Sequence, residues 1–569
     1  MSQRFETNDR EQTSAMTVAI RWAIVLVAGA LGSYWRLAPV GSAFLFGDEF
    51  HSLRLITSSY SELFSSYGRY GSGLLLPPLQ RALGELFGNS HWTMRLPAWL
   101  PGLILLWSCC FVGARRFGRH AAALGTVLVA GSSLLVFYSH FGRSYMLVAA
   151  LSSLLVMMLQ RIVDDGLDAS AEERYWPSKG RLVLCALITA LLPYAHLIAV
   201  GLVVPLYGAA WLTLIIQPKT RSLAWMVLLP LVVGGLLCCA LSWPAWDSYQ
   251  AFVASKTERS YFGSFGLWDV MLVLAGSYLG GVVLFVLSLA GMARLAMRWR
   301  WRALPLLAGC LGPVAALWVA QPYGDAYAWA RYLIPALPVA LCLIGWLLCD
   351  TARALCPTRD GADRSSLLAG VGLALLFAIP GPLGAAAVDD GPFANCYLGL
   401  APLPAFDSPW PDMPPFYGEL AEREEPLRVL EVPGLFTRSR QLLRNYHLVH
   451  GQSTWLALPK GTDKLPEIVP LAGPYISLSD PAWLERAIES VDVIIVHREP
   501  AQEVQSYWKF LYPRRGEFGD DPALSALMER QSKYFVNPKQ MDKAVTKALR
   551  EKLGPPSYRD SLISAWELP

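Results

Sequence analysis

Apolar runs separated by short polar clusters fill the first two thirds of the chain. Stretches long enough to cover about 30 Å of hydrocarbon as helix fall near residues 17–36, 93–113, 121–139, 144–162, 182–195, 197–216, 222–243, 270–293, 303–320, 332–349 and 367–387. Pro193, Tyr194 and His196 break what would otherwise be one very long run, and read as a tight re-entry turn. The pattern predicts about eleven membrane helices. From Val388 the pattern changes: 45 of the last 182 residues are Asp, Glu, Lys or Arg, against 47 of the preceding 387. The simplest reading is a transmembrane module at 1–387 followed by a water-soluble domain at 388–569. Within the latter, Leu427–Val432 and Val491–His497 read as strands, and Asp480-Pro481 as the start of a helix running to about Ser490. The expected soluble part is therefore a small α/β domain.

The cations set an orientation. Arg115, Arg116 and Arg119 form one cluster; Arg161, Arg174, Lys179 and Arg181 a second; Lys219 and Arg221 a third. Arg294, Arg298, Arg300 and Arg302, then Arg353, Arg359 and Arg364, complete the set. All fall on alternate connections, on the side of the N-terminus, so the excess of positive charge places that side in the cytoplasm. An odd number of spans then puts the C-terminal domain outside. The apolar run after Met16 lacks a small-residue cleavage site and reads as a retained first span. Composition agrees: 54% hydrophobic and 16% charged residues exclude a soluble globular protein, a disordered tail or a fibrous repeat. The net charge of +4 has no basic tract for nucleic acid. Of ten cysteines only Cys396 lies in the soluble part, which leaves it no internal disulfide.

Candidate chemistry gathers on the outer side. The first outer loop, Ala38–His91, is long and carries two amphipathic pieces, Phe50–Phe64 and Leu74–Phe87, that suit helices lying in the interface plane. Asp48 and Glu49 sit side by side at its start. Paired carboxylates at a membrane edge are costly; they are either ordinary loop acids or a general base for an acceptor hydroxyl. Cations on the same side that could hold a phosphate are Arg54, Arg69, Arg143, Lys256, Arg259 and Arg331. Arg143 and Arg331 stand out, each at the start of a span and followed by an aromatic, Tyr145 or Tyr332, although arginine at a helix end can also snorkel to headgroups. His51, His91 and His140 share this face without metal-ligand spacing, so surface histidines are the reading and a divalent metal is not indicated. Pro244–Trp268 sets Trp246, Tyr249, Tyr261 and Phe262 among Lys256 and Arg259, either as a mobile lid over a ligand or as interfacial anchors.

These residues carry a resemblance. Gly47-Asp48-Glu49-Phe50 after the first span resembles the acidic motif of the C-type glycosyltransferases (GT-C fold), in the branch of the protein O-mannosyltransferases and lipid A aminoarabinose transferases. Leu76-Pro77-Pro78-Leu79 is similar to that branch's His-Pro-Pro-Leu element, and the run from Phe87-Gly88 to Arg95-Leu96-Pro97-Ala98 to its approach to the second span. Ala114–Arg119 resembles its cytoplasmic turn, Phe137–Tyr145 its third-to-fourth-span turn, and Arg331–Pro338 its late Arg-Tyr-Leu-Pro span. The similarity is good from Gly47 to Gln160, patchy to about 350 and absent beyond. Two positions depart: Leu76 replaces the histidine, and His140-Phe141-Gly142 lacks the acid common in that turn.

The resemblance implies sugar transfer on the outer face from a polyprenyl monophosphate donor, undecaprenyl phosphate in bacteria, to a glycan, lipid or protein acceptor. It implies Asp48 as general base, Glu49 as the group that orients Arg54 or another cation, and Arg143 and Arg331, with Lys256 or Arg259, on the donor phosphate. His51, His140, Tyr145, Tyr261 and Tyr332 would surround the sugar or acceptor. Two other classes fit the membrane pattern: a transporter or flippase of a lipid-linked glycan, and an inactive GT-C scaffold subunit. A transporter favours internal repeats and charges near mid-bilayer, and neither is visible here.

Overall fold

A computed structural model describes residues 14–38, 40, 45, 49–56, 58–67, 73–169, 175–257, 266–321, 326–383, 413–432, 446–458, 474–497 and 538–568. Helix α1 (Ala15–Leu37) starts at Ser14, whose hydroxyl accepts the Thr17 N–H. Three short helices follow, α2 (Glu49–Ile56), α3 (Tyr60–Ser65) and α4 (Leu76–Phe87). The bundle continues with α5 (His91–Phe117), α6 (Arg119–Gly131), α7 (Ser133–Ser139), α8 (Tyr145–Asp168), α9 (Lys179–Ala195), α10 (Val200–Ile215) and α11 (Arg221–Ser242). It closes with α12 (Trp246–Thr257), α13 (Leu267–Ala275), α14 (Tyr278–Trp299), α15 (Leu304–Ala320), α16 (Ala326–Tyr332), α17 (Leu337–Leu355) and α18 (Arg359–Ala378).

Each of the eleven apolar stretches coincides with one or two of these helices, with instructive differences. Among the described residues eight helical stretches are long and apolar enough to cross a membrane, or nine with the pair α6 and α7, which bends by 66° at Ser132. Tyr278–Ala320 is one such stretch of 43 residues, about 65 Å if straight. It is interrupted at Arg300, where φ is +50°, so α14 and α15 each match one expected span. The stretch expected from residue 270 is α13 and α14, parted at Gly276 in a left-handed conformation. Helix α9 has 17 residues, about 26 Å, which is why 182–195 is a short span.

Helix α6 is the centre of the bundle. Every residue from His120 to Gly131 is buried, and α6 packs on α1, α5, α17 and α18. The approach to α17 is close enough that a Cβ on Gly345 would lie 2.9 Å from the Gly125 nitrogen, the small-residue contact by which apolar helices associate in lipid. The outward faces are apolar: Leu26 and Val27 on α1, Ile104 and Phe111 on α5, Val232 and Leu236 on α11, and Trp318 and Val319 on α15 are exposed. Such a belt is stable against hydrocarbon rather than water.

The end of the bundle away from α2–α4 is ionic. Arg116 pairs with Asp164 at 2.8 Å, Arg302 with Asp168 at 2.7 Å, and Arg294 and Arg298 with Asp350. His120 on α6 meets Ser366 at 2.8 Å, and Ser14 meets Asp360. The cation clusters expected on one side are thus cross-linked by carboxylates of neighbouring helices.

Residues 413–568 contain a six-stranded sheet in the order β3-β2-β1-β4-β6-β5, built from β1 (Arg428–Val432), β2 (Ser453–Leu458), β3 (Tyr475–Ser477), β4 (Val493–His497), β5 (Tyr558–Arg559) and β6 (Ile563–Glu567). Strands β1 to β4 are parallel, and β6 joins β4 antiparallel. Helix α19 (Pro415–Ala421) and residues 446–450 cover one face, while α20 (Trp483–Ser490) and α21 (Pro538–Leu553) cover the other. Two covered faces explain why Val493–Val496 is continuously apolar. Helix α20 starts two residues later than Asp480-Pro481 implied, because the Asp480 carboxylate accepts the Ala482 N–H at 3.0 Å and makes a turn of its own first.

His450 is buried beside this sheet, with Nδ1 accepting the Gln452 N–H at 3.0 Å. Burial, and secondarily His447, push the imidazole down to about 3. Unfolded histidine titrates near 6.5, so the unfolded chain takes up the proton first. The stability contributed by the neutral ring is complete above about pH 6.5 and is lost as pH falls toward 3. The protection factors of the β1 and β4 amides, their exchange rates taken relative to the unfolded chain at the same pH, should therefore fall between pH 6.5 and 4.5, and His450→Leu should flatten that dependence.

Candidate functional site

The site is built where α2 and α4 close over the start of α5 and the turn between α7 and α8. Pro77 and Pro78 fall in the first turn of α4, where a missing N–H costs no helical hydrogen bond. Ser90 then starts α5 with a reciprocal cap: its hydroxyl accepts the Thr93 N–H, and the Thr93 hydroxyl accepts the Ser90 N–H at 2.9 Å. This sets Arg95 in the second turn of α5, facing Glu49, the first residue of α2.

Glu49 and Arg95 form a fork-to-fork ion pair, Nε to Oε1 and Nη2 to Oε2, both at 2.8 Å, with side chains only 1% and 2% exposed. Arg95 spends another donor on the Val40 carbonyl at 3.0 Å. Glu49 Oε1 also accepts the Gly142 N–H at 2.7 Å. The Gly142 carbonyl in turn accepts from Ser52 at 3.2 Å and from Gln80 at 3.1 Å, and Gln80 reaches the Met94 carbonyl at 2.7 Å. A Cβ on Gly142 would stand 3.1 Å from Glu49 Oε1. One buried carboxylate thereby locks α2, α4, α5 and the α7–α8 turn together. Charge-assisted bidentate bonds of this kind are the strong ones.

The next residue of that turn is Arg143, buried, with its guanidinium in long contact with Ser52 at 3.5 Å. Arg331, in the last turn of α16, lies 5.7 Å from the Tyr145 ring and 5.5 Å from the Tyr332 ring. The His196 ring stands 5.2 Å from Tyr145 and 5.7 Å from Tyr332. Both guanidiniums are near enough to act electrostatically on His196, and Arg143 also acts on Tyr67. Two cations, a histidine and three tyrosines therefore converge beside the Glu49 lock. Tyr67 is buried against Tyr249 and Phe252 of α12, and its N–H donates to Ser248 at 2.7 Å.

A glycine closes this wall. Gly73 has φ of +72°, and a Cβ there would sit on the Ala195 carbonyl, while the neighbouring Leu74 N–H donates to the Tyr194 carbonyl at 2.9 Å. Gly73→Ala combines backbone strain with overlap and should cost about 2 kcal/mol or more, seen as a lower thermal midpoint in detergent.

Of the residues expected from sequence, Glu49, Arg143, Tyr145, Arg331 and Tyr332 come together here. The cation that Glu49 holds is Arg95. Asp48, Arg69, Arg259, Tyr261 and Phe262 lie outside the described residues, as do the side chains of Arg54 and Lys256. His51 is half-buried on α2. His91 and His140 are not surface histidines: both are buried, His140 with its ring 5.6 Å from Phe137 in a turn packed by aromatics. Among the described residues no three His, Cys, Asp or Glu side chains gather closely enough to hold a metal ion. Sequence reasoning missed Arg95, Gln80, Ser52, Tyr67 and His196. For Arg95 a signal existed, since a lone arginine inside an apolar span needs a buried partner.

No protein-family model and no curated protein sequence matches the chain. Solved structures do match. The crystal structure of ArnT from Cupriavidus metallidurans in the apo state aligns with a TM-score of 0.53 at 15% identity, over 97% of this chain and 98% of that one. The structure of the same protein bound to undecaprenyl phosphate aligns with a TM-score of 0.50 at 14% identity, over 86% of this chain and 95% of that one. At such identity the likeness is one of architecture, running nearly end to end: this chain has the GT-C fold, with a small α/β sheet unit toward its C-terminus.

Proposed function

We propose that the chain is an integral-membrane glycosyltransferase that moves a sugar from a polyprenyl phosphate, undecaprenyl phosphate in a bacterium, to an acceptor hydroxyl. The observation that carries this reading is the convergence of Arg143 and Arg331 with Tyr145, His196 and Tyr332 beside the locked start of α2. A lipid-linked sugar cannot leave the bilayer, so its phosphate has to be met at the membrane edge, by cations fixed in place. ArnT, which shares the fold, is a protein seen with undecaprenyl phosphate bound.

In this reading Asp48 takes the proton of the acceptor hydroxyl as its oxygen attacks the anomeric carbon. The bond from that carbon to the phosphate oxygen breaks, its electron pair leaves with the lipid phosphate, and the configuration inverts in a single displacement. Arg143 and Arg331, with Lys256 and Arg259, stabilise the negative charge that grows on the phosphate. Glu49 does no chemistry; through Arg95 and Gly142 it fixes the segment next to Asp48. The site faces the periplasm, the N-terminus the cytoplasm, and the domain at 388–569 lies on the periplasmic side of an inner-membrane module at 1–387.

The test is purified protein given a polyprenyl-phosphate sugar and an acceptor glycan. Release of free polyprenyl phosphate coupled to sugar transfer supports the reading; movement of the intact donor across the bilayer with its phosphate bond unbroken overturns it. Arg143→Gln and Arg331→Gln should each slow release by roughly 10²–10³-fold while the protein still extracts as a folded monodisperse species.

A further inference from the structure

The α/β unit carries chemistry that the membrane site does not use. Its chain winds from β1 to β2 to β3 in one direction, then returns so that β4 lies on the other side of β1. In parallel sheets the crevice outside the carboxyl ends of the strands, at such a reversal, is where ligands bind. Here the ends of β1 and β4 bring Glu431 beside His497.

Glu431 occupies a position that a strand covered on both faces fills with an aliphatic residue, and its side chain is fully buried. Burying a carboxylate costs several kcal/mol unless partners satisfy it. His497 Nε2 lies 2.7 Å from Glu431 Oε2, and the Tyr417 hydroxyl reaches the two carboxylate oxygens at 3.1 and 3.2 Å. Tyr446 stacks on Tyr417 at 4.2 Å and lies parallel to the His497 ring at 6.2 Å. A carboxylate only accepts, so the network assigns the proton to Nε2 and turns Nδ1 away from Glu431. Nδ1 has no hydrogen-bond partner among the described residues, and the side chain remains 10% exposed. This is the arrangement by which a carboxylate orients an imidazole for a ligand on its far nitrogen.

We propose that the Glu431–His497 pair is the polar floor of a second binding site, at the carboxyl edge of β1 and β4, which takes a polyhydroxylated ligand of the pyranoside class on His497 Nδ1. A hydroxyl suits that nitrogen in either protonation state, donating to its lone pair or accepting from an imidazolium. An anion suits only the imidazolium, and a metal ion needs further ligands that do not gather among the described residues. The proposal does not depend on the membrane site.

The experiment uses the full chain in lipid nanodiscs free of glycoside detergent, with nitrogen-15 histidine, titrated with methyl α-glucopyranoside and methyl α-mannopyranoside. A saturable shift of one imidazole Nδ1 resonance is expected with at least one of them. His497→Gln, checked for an unchanged thermal midpoint, should lose that resonance and bind the pyranoside at least about tenfold more weakly by saturation-transfer NMR. Asp48→Asn should bind it unchanged. No saturable shift with either pyranoside overturns the proposal, as does undiminished binding in His497→Gln or lost binding in Asp48→Asn.

Discussion

Arg95→Ala should be the most damaging single substitution in the membrane bundle. It leaves the buried Glu49 carboxyl group with the Gly142 N–H but deprived of both guanidinium bonds. Breaking a buried pair from one side costs about 3–5 kcal/mol, a large share of the roughly 5–15 kcal/mol that separates most folded proteins from the unfolded state. Arg95→Lys should recover only part, because an ammonium cannot grip both carboxylate oxygens in the same plane. The double variant Glu49→Gln with Arg95→Met should be more stable than Arg95→Ala alone. It buries no charge, and the amide oxygen still accepts from Gly142. Thermal unfolding in detergent reads the order directly. An Arg95→Ala protein as stable as the parent would mean that the lock holds nothing together.

Asp48→Asn should do the opposite: abolish transfer and leave folding alone. Removing a general base costs about 10²–10⁴-fold, whereas the exchange of aspartate for asparagine keeps the side chain's size and shape. Turnover of a polyprenyl-phosphate sugar, measured beside the thermal midpoint, separates the two effects. An Asp48→Asn protein turning over at the parent rate would move the base elsewhere. A protein that loses activity and stability together would make Asp48 a second structural pin, like Glu49.

The contrast between these neighbours shows what a sequence can carry. The spans were legible because an apolar window is a property of contiguous residues, and so were the starts of α4 and α5, whose prolines and Ser90 act locally. The bend at Ser132 and the break at Gly276 were not, because the apolar window runs on across both, although the break is local in origin: a left-handed Gly276 ends α13 and the Ser277 hydroxyl caps α14. Glu49 was singled out, yet its partner was not: Arg95 lies 46 residues away and Gly142 another 47 beyond it. No local pattern reports a contact made across three elements. His140 was misplaced for the same reason, since a polar turn between spans reads as exposed until the aromatics around it are seen to close over it. In the α/β unit β1 and β4 were readable as strands, while the pairing of Glu431 with His497, made between residues 66 apart, was not.

The two ends of the bundle will answer differently to dissolved salt. The ion pairs Arg302–Asp168, at 40% and 56%, and Arg294–Asp350, at 46% and 8%, have at least one partner open to solvent, and a Debye length of about 8 Å at physiological ionic strength reaches them. Glu49–Arg95, at 1% and 2%, is beyond the reach of mobile ions. Concentrated chloride should therefore slacken the molecule from one pole only, leaving the pole that carries Asp48's neighbour as taut as before.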